Sequence, residues 1–402
     1  MWYLIPEYRE IMIGILVFVS ITSLFWLMLY TIKRKIINKK TLNKVFLPKI
    51  SIIIPAFNEA NSIGSTLKSI LSNNYPKNKM DIIVVDDGST DNTSDIVKKF
   101  PVNLIQLSRN KGKVNALNTG IKHAKHDIIF TLDADSKLCK NFFRLMVKKF
   151  EDANVGAVCG IYKAKYQNKL IEKLQSLEYL GFALIRKLQD SLGAITVVPG
   201  AVAAFRKKVL LEVGGFDNDT LLEDADITIK VHKAGYKVVC EKNALAYVCA
   251  PPTIRKFVKQ RTRWMRGGLQ IWGKHFDMFS GKFGAISFLW IVDAVSVSMQ
   301  FVVFSMLLDH IRRFGFSLIS LKYLILNIIS LNFSFNSLTL LLSLSFILFI
   351  LGIINMSISI KITNDSMKKL LLYPLMAFYG TFQFLIFIKS VIEESLELKK
   401  VW

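Results

Sequence analysis

The feature that most constrains this chain is the placement of its long apolar runs, which bracket a globular stretch. A run without a single charge extends from Ile11 to Thr31, and further apolar runs follow residue 281. At a rise of about 1.5 Å per residue, the first run is long enough to cross a bilayer core of about 30 Å. The pattern therefore favours a globular domain held between membrane segments over a purely soluble protein.

Basic residues set the direction of the first predicted span. Only Arg9 precedes the apolar run, and the basic residues that follow it directly are Lys33, Arg34, Lys35, Lys39 and Lys40. Because positive charges stay on the cytosolic side of a span, the globular stretch is expected in the cytosol. A cleaved signal peptide is the alternative, but its basic residues would precede the apolar run.

The later apolar runs are Ala285–Leu308, Phe316–Asn332, Leu338–Ile360 and Leu370–Ile392. Three of them are predicted spans, whereas Phe316–Asn332 is short and carries Lys322, so crossing, re-entry and an interfacial position all stay open. The predicted organisation is a membrane helix over 1–32, a cytosolic domain over 49–250, amphipathic interfacial helices over 251–283, a membrane region of three or four spans over 284–392, and a tail over 393–402. This describes a multi-pass protein of the plasma membrane.

The charge of the chain agrees with a membrane partner. A net charge of +23 from 53 Lys and Arg against 30 Asp and Glu suits nucleic acid, anionic lipid headgroups or phosphorylated substrates. Since 52% of the residues are hydrophobic, membrane lipids are the expected partner and nucleic acid is not. A lysine-rich surface without functional meaning is the alternative.

The globular stretch alternates short β-branched runs with amphipathic ones. The predicted strands are Ile50–Pro55, Asp81–Val85, Val102–Leu107 and Asp127–Leu132, and the predicted helices between them are Ala60–Asn73, Thr93–Phe100 and Lys113–Ala124. This βαβαβ pattern predicts a Rossmann-like α/β domain with a parallel sheet. Such sheets bind ligands beyond the carboxyl ends of their strands.

Polar residues follow three of these strands and are predicted to face one crevice. The first strand ends in Pro55 and leads to Glu59, the second leads to Asp87, and the fourth leads to Asp133 and Asp135. Asp87 can accept hydrogen bonds from a nucleobase or ribose, although its Asp-Asp-Gly-Ser run is also typical of a turn before a helix. Alternate residues of an extended segment point the same way, so Asp133 and Asp135 can reach one divalent cation. A chance Asp-x-Asp is the alternative.

Two further motifs stand before predicted helices. Lys113 and the two residues before it can meet phosphate at a helix N-terminus, or they form a solvated loop. Glu223, Asp224 and Asp226 begin another helix. An inverting sugar transfer needs one carboxylate to take the proton from the acceptor hydroxyl, and Asp224 is the candidate base. Alternatively, the three carboxylates only complement the positive end of the helix.

The last motif precedes the later membrane runs. On a helix, Gln260, Arg263 and Trp264 share one face. An arginine there can bind a leaving diphosphate, and a tryptophan can stack on a sugar ring. The alternative is an interfacial helix that places Trp264 and Trp272 at the headgroups, with these basic side chains on lipid phosphates: Lys256, Lys259, Arg261 and Arg266.

Taken in order, these motifs resemble the processive family 2 glycosyltransferases: PAFNEA, VVDDGSTDNT, GKVNALNTG, LDADS, VPGAVAAF, LEDADIT and QRTRW. That group includes cellulose, hyaluronan, chitin and poly-N-acetylglucosamine synthases. The resemblance covers roughly Ser51–Leu269 and departs at Leu222, where the family often has Thr. It implies an α/β GT-A fold, a UDP-sugar donor, and Mg or Mn as cofactor.

The resemblance also implies roles for residues at matching positions. Nucleotide and donor binding is expected from Pro55, Glu59, Asp87, Lys113, Asp133, Asp135, Gln260 and Arg263. Asp133 and Asp135 would also hold the metal, Asp224 would be the base, and Trp264 and Glu223 would bind the acceptor.

The implied function is that of a membrane-bound inverting transferase in polysaccharide biosynthesis, such as that of biofilms. It would use UDP-N-acetylglucosamine or UDP-glucose to elongate a β-linked extracellular polysaccharide and thread it outward. A lipid acceptor and an accessory membrane subunit stay open. The alternatives are a glycolipid or polyprenyl-phosphate glycosyltransferase that adds one sugar, and a non-catalytic membrane protein that binds nucleotide.

Overall fold

The computed structural model of the chain describes residues 6–36, 46–314 and 337–398. The chain forms two compact units, one from Met1–Lys40 with Phe288–Ile358 and the other from Thr41–Ser287 with Ser359–Trp402. Every residue predicted for the site belongs to the second unit. The predicted run Phe316–Asn332, as well as Lys39 and Lys40, lies outside the described residues.

The second unit is built around a mixed sheet of eight strands among the described residues. They are β1 (Ile50–Ala56), β2 (Met80–Asp86), β3 (Asn103–Gln106), β4 (Ile128–Thr131), β5 (Lys137–Leu138), β6 (Val155–Ala164), β7 (Ala203–Arg206) and β8 (Lys237–Val248). Their order is β3-β2-β1-β4-β7-β6-β8-β5. Strands β1 to β4 pair in parallel, and β7 is inserted antiparallel between β4 and β6. The four predicted strands are therefore confirmed as one parallel half of the sheet.

The helices that cover this sheet are α2 (Ile63–Leu71), α3 (Thr93–Val97), α4 (Lys113–His123), α5 (Phe142–Val147), α6 (Leu170–Leu192), α7 (Lys207–Glu212) and α8 (Glu223–Lys233). They are followed by α9 (Ile254–Lys274) and a 3-10 helix over Phe276–Ser280. The three predicted helices between strands are confirmed as α2, α3 and α4. Each is shorter than predicted, because the ends of an amphipathic run continue into turns.

Alternation along β1 divides the core into two layers. Ile52 and Ile54 pack on one face of the sheet and Ile53 on the other, and all three are fully buried. Burial of one such side chain stabilises the fold by about 1.5–3 kcal/mol, so a strand buried on both faces resists displacement. On the second face, a Cβ at Gly120 of α4 would lie 2.4 Å from Ile53 Cγ2. Glycine thus lets α4 approach the sheet and fixes the position of its N-terminal Lys113.

Four helical stretches of the described chain are long and apolar enough to cross a membrane: Glu10–Thr31, Ala285–Val302, Leu344–Ile362 and Met367–Ser395. The first three lie in α1 (Pro6–Ile36), α10 (Ala285–Phe314) and α11 (Ser337–Ile362). The fourth is not one regular helix. A 3-10 segment over Met367–Leu375 contains Pro374, which has no backbone N–H, and α12 (Met376–Ser395) follows. Helix α12 runs beyond Ile392 into the segment predicted as a tail.

Candidate active site

The ends of β1 and β4 and the starts of α4 and α8 surround one crevice. The residues that line this cleft include Pro55, Lys113, Asp133, Gly200, Glu223 and Asp224. Because β1, β2 and β4 run in parallel, their carboxyl ends meet at the same edge of the sheet. The chain thus brings together motifs that lie far apart in sequence, as predicted for the strand tips.

Lys113 lies at the centre of the crevice. Its Nζ is 2.8 Å from Asp133 Oδ1 and 2.8 Å from Glu223 Oε1. Burial alone would lower the pKa of Lys113, but the two carboxylates outweigh it and raise that pKa above its ordinary value. A Cβ at Gly200 would lie 3.1 Å from Lys113 Nζ, so glycine there leaves space beside the ammonium group. Lys113 is therefore a permanent cation that joins the strand tip to α8.

Asp87 is buried and holds the turn that leads to Lys113. Its Oδ1 accepts from the Lys111 N–H at 2.9 Å, and its Oδ2 accepts from the Gly112 N–H at 2.7 Å. Gly112 has a φ of +92°, which glycine adopts readily. The structure thus gives Asp87 a structural function at the site, and its predicted contact with the base stays a prediction.

Asp135 lies among other carboxylates beyond β4. Burial, and next the neighbouring charges of Asp133 and Glu59, raise the pKa of Asp135 to about 6. Burial also raises the pKa of Glu59, against the hydrogen bond that it accepts from Ser62. Clustered carboxylates with raised pKa values stabilise a cation that binds between them. The oxygen donors of Asp133 and Asp135 are of the kind that a divalent metal prefers, and their role as its ligands stays a prediction.

A second acidic group lies outside this cleft. In the described part of the chain, carboxylate oxygens of Asp217, Asp219 and Asp226 lie within 4.8 Å of one another. Lys274 Nζ is 2.8 Å from Asp217, 2.9 Å from Asp219 and 2.9 Å from Asp226. His275 Nε2 adds a 2.7 Å contact to Asp226. This group is compensated by basic side chains and fastens α8 to the end of α9.

Asp224 lies in the first turn of α8 and borders the cleft. Its Oδ1 accepts from the Ala225 N–H at 2.9 Å, and Oδ2 lies 3.4 Å from the Gly200 N–H. Burial, and then the charge of Glu223, raise the pKa of Asp224 to about 6, although Lys113 and Arg263 oppose the shift. A carboxylate with such a pKa is ionised at neutral pH yet basic enough to accept a proton.

Helix α9 presents the last predicted cluster. The charge of Arg263 acts on Asp224, and the Trp264 ring lies beneath the Arg261 guanidinium at 4.1 Å from its centroid. Gln260 Oε1 is buried and, among the described residues, has no hydrogen-bond partner. Such an oxygen is expected to be satisfied by a bound polar group. Gln260, Arg263 and Trp264 thus share the helix that borders the proposed base.

The interfacial alternative for α9 is corrected in part. Lys256 and Lys259 are exposed, but Arg261 is 1% exposed and Arg266 is 5% exposed. Arg261 forms an ion pair with Glu178, and Arg266 Nε lies 2.7 Å from Glu394 Oε2. These two arginines are therefore bound within the protein rather than to lipid phosphates, because acidic residues far away in sequence reach them.

Gln270 is a site residue that sequence reasoning missed. Its Oε1 accepts from the Leu221 N–H at 2.8 Å, and its Nε2 donates to Glu394 Oε1 at 2.8 Å. A carboxylate only accepts and a backbone N–H only donates, so these partners fix the orientation of the amide. Gln270 thereby holds the backbone that leads into Asp224. The position of Gln270 on α9 does not reveal this function in the sequence, because its partners Leu221 and Glu394 are distant in sequence.

Residues 51–214 match the model of the family described as Glycosyl transferase family 2. A poly-beta-1,6-N-acetyl-D-glucosamine synthase of Staphylococcus epidermidis is 33% identical over 263 residues, which cover 62% of this chain and 63% of that relative. The synthase of the same name from Staphylococcus aureus (strain MSSA476) is 31% identical over 255 residues, which cover 62% and 61%. The matched region thus spans less than two thirds of either relative.

Among solved structures, the chain is similar to a mannosyltransferase of Pyrobaculum calidifontis in complex with GDP-mannose and Mn2+. The TM-score is 0.61 at 22% identity, and the match covers 86% of this chain and 98% of that chain. This likeness shows the fold and confirms the predicted GT-A arrangement. The predicted resemblance to family 2 is confirmed by the family match and the two synthases.

Proposed function

We propose that this chain, whose residues 51–214 form a glycosyltransferase family 2 domain, is a membrane-bound inverting transferase that elongates a polysaccharide. The donor is a UDP-sugar, either UDP-N-acetylglucosamine or UDP-glucose, and the product is β-linked. The observation that carries the proposal is one cleft in which Asp224 of α8 faces the Lys113–Asp133 pair at the tip of β4. The likeness to poly-N-acetylglucosamine synthases supports the polymer and the first donor.

The reaction assigned to this cleft is a single displacement. Asp224 takes the proton from the acceptor hydroxyl while that oxygen attacks the anomeric carbon of the donor. The bond from this carbon to the diphosphate oxygen breaks, and its electron pair leaves with UDP. Attack from the face opposite the leaving group inverts the anomeric carbon. With its pKa near 6, Asp224 is ready to accept the proton at neutral pH.

The donor side binds the nucleotide diphosphate. Asp133 and Asp135 would hold a divalent cation, Mg or Mn, which supplies charge neutralisation for the diphosphate when bound. Pro55 lines the cleft, and we assign it together with Glu59 and Asp87 to the nucleotide end, where Lys113 adds a fixed positive charge. The Mn2+ in the related mannosyltransferase supports a metal of this kind.

The acceptor side is formed by α8 and α9. Arg263 is placed to stabilise the negative charge that develops on the leaving diphosphate, and Gln260 offers an unsatisfied oxygen to a sugar hydroxyl. Trp264 provides an aromatic surface for the acceptor sugar. Glu223 contacts Lys113, so it orients that cation and completes the acceptor side.

We place the catalytic unit in the cytosol of a plasma-membrane protein. The basic residues that follow the apolar run Ile11–Thr31 support this orientation, and the apolar helical stretches support the membrane location. Nucleotide sugars are then available on the catalytic side, while the polymer is delivered to the other side. The acceptor is the growing polysaccharide, and an accessory membrane subunit is compatible with this arrangement.

Purified protein in detergent tests the proposal when it is incubated separately with labelled UDP-N-acetylglucosamine, UDP-glucose and GDP-mannose, with Mn2+ present. The expected result is a β-linked polymer from one UDP-sugar, identified by size and linkage analysis. A single-sugar lipid product would instead support the glycolipid or polyprenyl-phosphate alternative. Nucleotide binding without any transfer would support the non-catalytic alternative.

A further inference from the structure

The apolar stretch Met367–Ser395 begins against the catalytic unit. Asp365, just before it, lies 3.5 Å from Lys163 Nζ at the end of β6 and 3.0 Å from Lys369 Nζ. Lys369 Nζ also donates to Ser176 Oγ of α6 at 2.8 Å. These polar contacts are largely buried, so the start of the stretch is fixed to the same body that carries the active site.

The middle of the stretch also lies on that body. The Phe382 ring stacks on the Phe257 ring of α9 with centroids 5.9 Å apart. Tyr379 Oη donates to Glu178 Oε2 at 2.8 Å, and Gln383 Nε2 donates to Glu178 Oε1 at 3.1 Å. Aromatic packing and hydrogen bonds thus attach α12 to both α6 and α9.

The far end of the stretch returns to the same helix. Arg266 Nε donates to Glu394 Oε2 at 2.7 Å, and Arg266 Nη2 donates to the Leu398 carbonyl oxygen at 2.7 Å. Phe382 of α12 contacts Phe257 of α9, and Glu394, further along α12, contacts Gln270, further along α9. The two helices therefore run side by side in the same direction.

A helix that crosses a bilayer separates its ends by about 30 Å of hydrocarbon. Helix α9 cannot be carried across with α12, since Gln270 and Lys274 tie it to the loop and helix of Asp224. Both ends of Met367–Ser395 therefore stay on the side of the catalytic unit. We infer that this stretch does not span the membrane but lies along its surface as an interfacial helix, with one apolar stripe in the lipid.

The stripe is visible on the outer face of the stretch. Its residues recur every seventh position and are all exposed: Leu371 at 83%, Phe378 at 76%, Leu385 at 51% and Ile392 at 53%. Seven residues complete about two helical turns, so along α12 they share one face. Lys368 is exposed at the start of the stretch and suits a lipid phosphate. The lipid bilayer is thus the partner of this face.

The inference also fixes the direction of the chain. Asp365 and Leu398 both contact residues of the catalytic unit, so the two ends of the stretch lie on the same side. Leu398 then lies on the catalytic side, a point that the distribution of positive charges in the sequence left open. This conclusion depends on the contacts of α12 and not on the sugar chemistry.

Single-cysteine labelling of the full-length protein tests the inference. The background replaces Cys139 and Cys249 by serine, because Cys159 and Cys240 are buried. Lys368→Cys and Leu396→Cys mark the two ends of the stretch at exposed positions, and Lys98→Cys on α3 marks the catalytic side. Intact cells and inside-out vesicles are treated with a membrane-impermeant maleimide. All three cysteines are expected to react in inside-out vesicles and to be protected in intact cells.

Labelling of Lys368→Cys and Leu396→Cys on opposite sides would overturn the inference, because it would show a span. The lipid partner is tested with a fluorophore on Leu385→Cys, which nitroxide lipids are expected to quench strongly while a fluorophore on Lys98→Cys is not quenched. Efficient disulfide crosslinking between two Leu385→Cys chains, without quenching, would assign the stripe to a second copy and contradict the lipid assignment.

Discussion

The donor side and the acceptor side of the cleft are held in place by different means. On the donor side, both carboxylate oxygens of Asp87 accept hydrogen bonds from backbone N–H groups of the turn that precedes Lys113. On the acceptor side, Leu221 before the proposed base is held by the side chain of Gln270, which in turn depends on Glu394. Hydrogen bonds to backbone N–H groups 24 and 25 residues away position the donor groups, whereas a chain of side chains that ends 124 residues away at Glu394 positions the loop before the base. Distant substitutions should therefore affect the acceptor side selectively.

The largest effect is expected at the point where the two sides meet. Asp224→Asn removes the proton acceptor and keeps the shape of the side chain, so kcat should fall by about 10²–10⁴-fold. Donor binding, measured by calorimetry with Mn2+ present, should stay close to that of the wild type. Asp95→Asn, an exposed carboxylate on α3, is the matched control and should leave both quantities unchanged.

On the donor side, Asp135→Asn should weaken the binding of the metal and leave the binding of the acceptor unchanged. Residues that only hydrogen-bond to a metal ligand change metal affinity by about 10–10²-fold. Loss of a direct ligand should reach at least the upper end of this range, so the Mn2+ concentration for half-maximal donor binding is expected to rise by about 10²-fold. The measurement is a Mn2+ titration of donor affinity. An unchanged half-maximal Mn2+ concentration would show that Asp135 is not a metal ligand, and it would contradict the assignment of metal binding to the donor side.

A smaller effect is expected from the acceptor side. Gln270→Glu places two carboxylates against each other and should lower kcat by about tenfold through displacement of the loop before Asp224, with donor affinity unchanged. In the double variant Gln270→Glu with Glu394→Gln, the amide at position 394 donates to the carboxylate at position 270, so the hydrogen bond is restored in the opposite direction. This variant should recover most of the rate. If the double variant is as slow as the single one, Gln270 does not act through this hydrogen-bond chain.

The contrast also explains what the sequence could predict. Strands β1, β2 and β4 were predicted within a few residues because their β-branched runs, such as Ile50–Ala56, are buried on both faces of the sheet, whereas β3 lies at the edge and is only partly buried. Strands β6, β7 and β8 were not predicted. Strand β7 is a short AAFR segment whose place between β4 and β6 is decided by pairing with residues far away in sequence.

The same distinction applies to the site. Asp133 and Asp224 were found because a strand tip and a helix start are local signals. The contact of Lys113 with Glu223, the bridge through Gln270 and the ion pair of Arg266 join segments that only the folded chain brings together. Sequence spacing holds no information on such pairs.

The smallest effect is expected outside both sides of the cleft. Lys98 forms a 3.0 Å ion pair with Asp95 on the exposed surface of α3. Exposed pairs of this kind contribute about 0–1 kcal/mol, so Lys98→Ala should leave kcat, donor affinity and the thermal midpoint near wild-type values. A marked loss of kcat in this variant would show that the surface of α3 communicates with the cleft.

The pH dependence of kcat at saturating donor and Mn2+ tests the central claim most directly. A bound cation keeps Asp135 ionised, so the acidic limb should report Asp224, whose pKa is raised to about 6. In the wild type, kcat should be constant above this pKa and fall about tenfold per unit of pH below it, as the base becomes protonated. The small residual rate of Asp224→Asn should lack that limb. The same limb in Asp224→Asn, or its absence from the wild type, would contradict the assignment of Asp224 as the base.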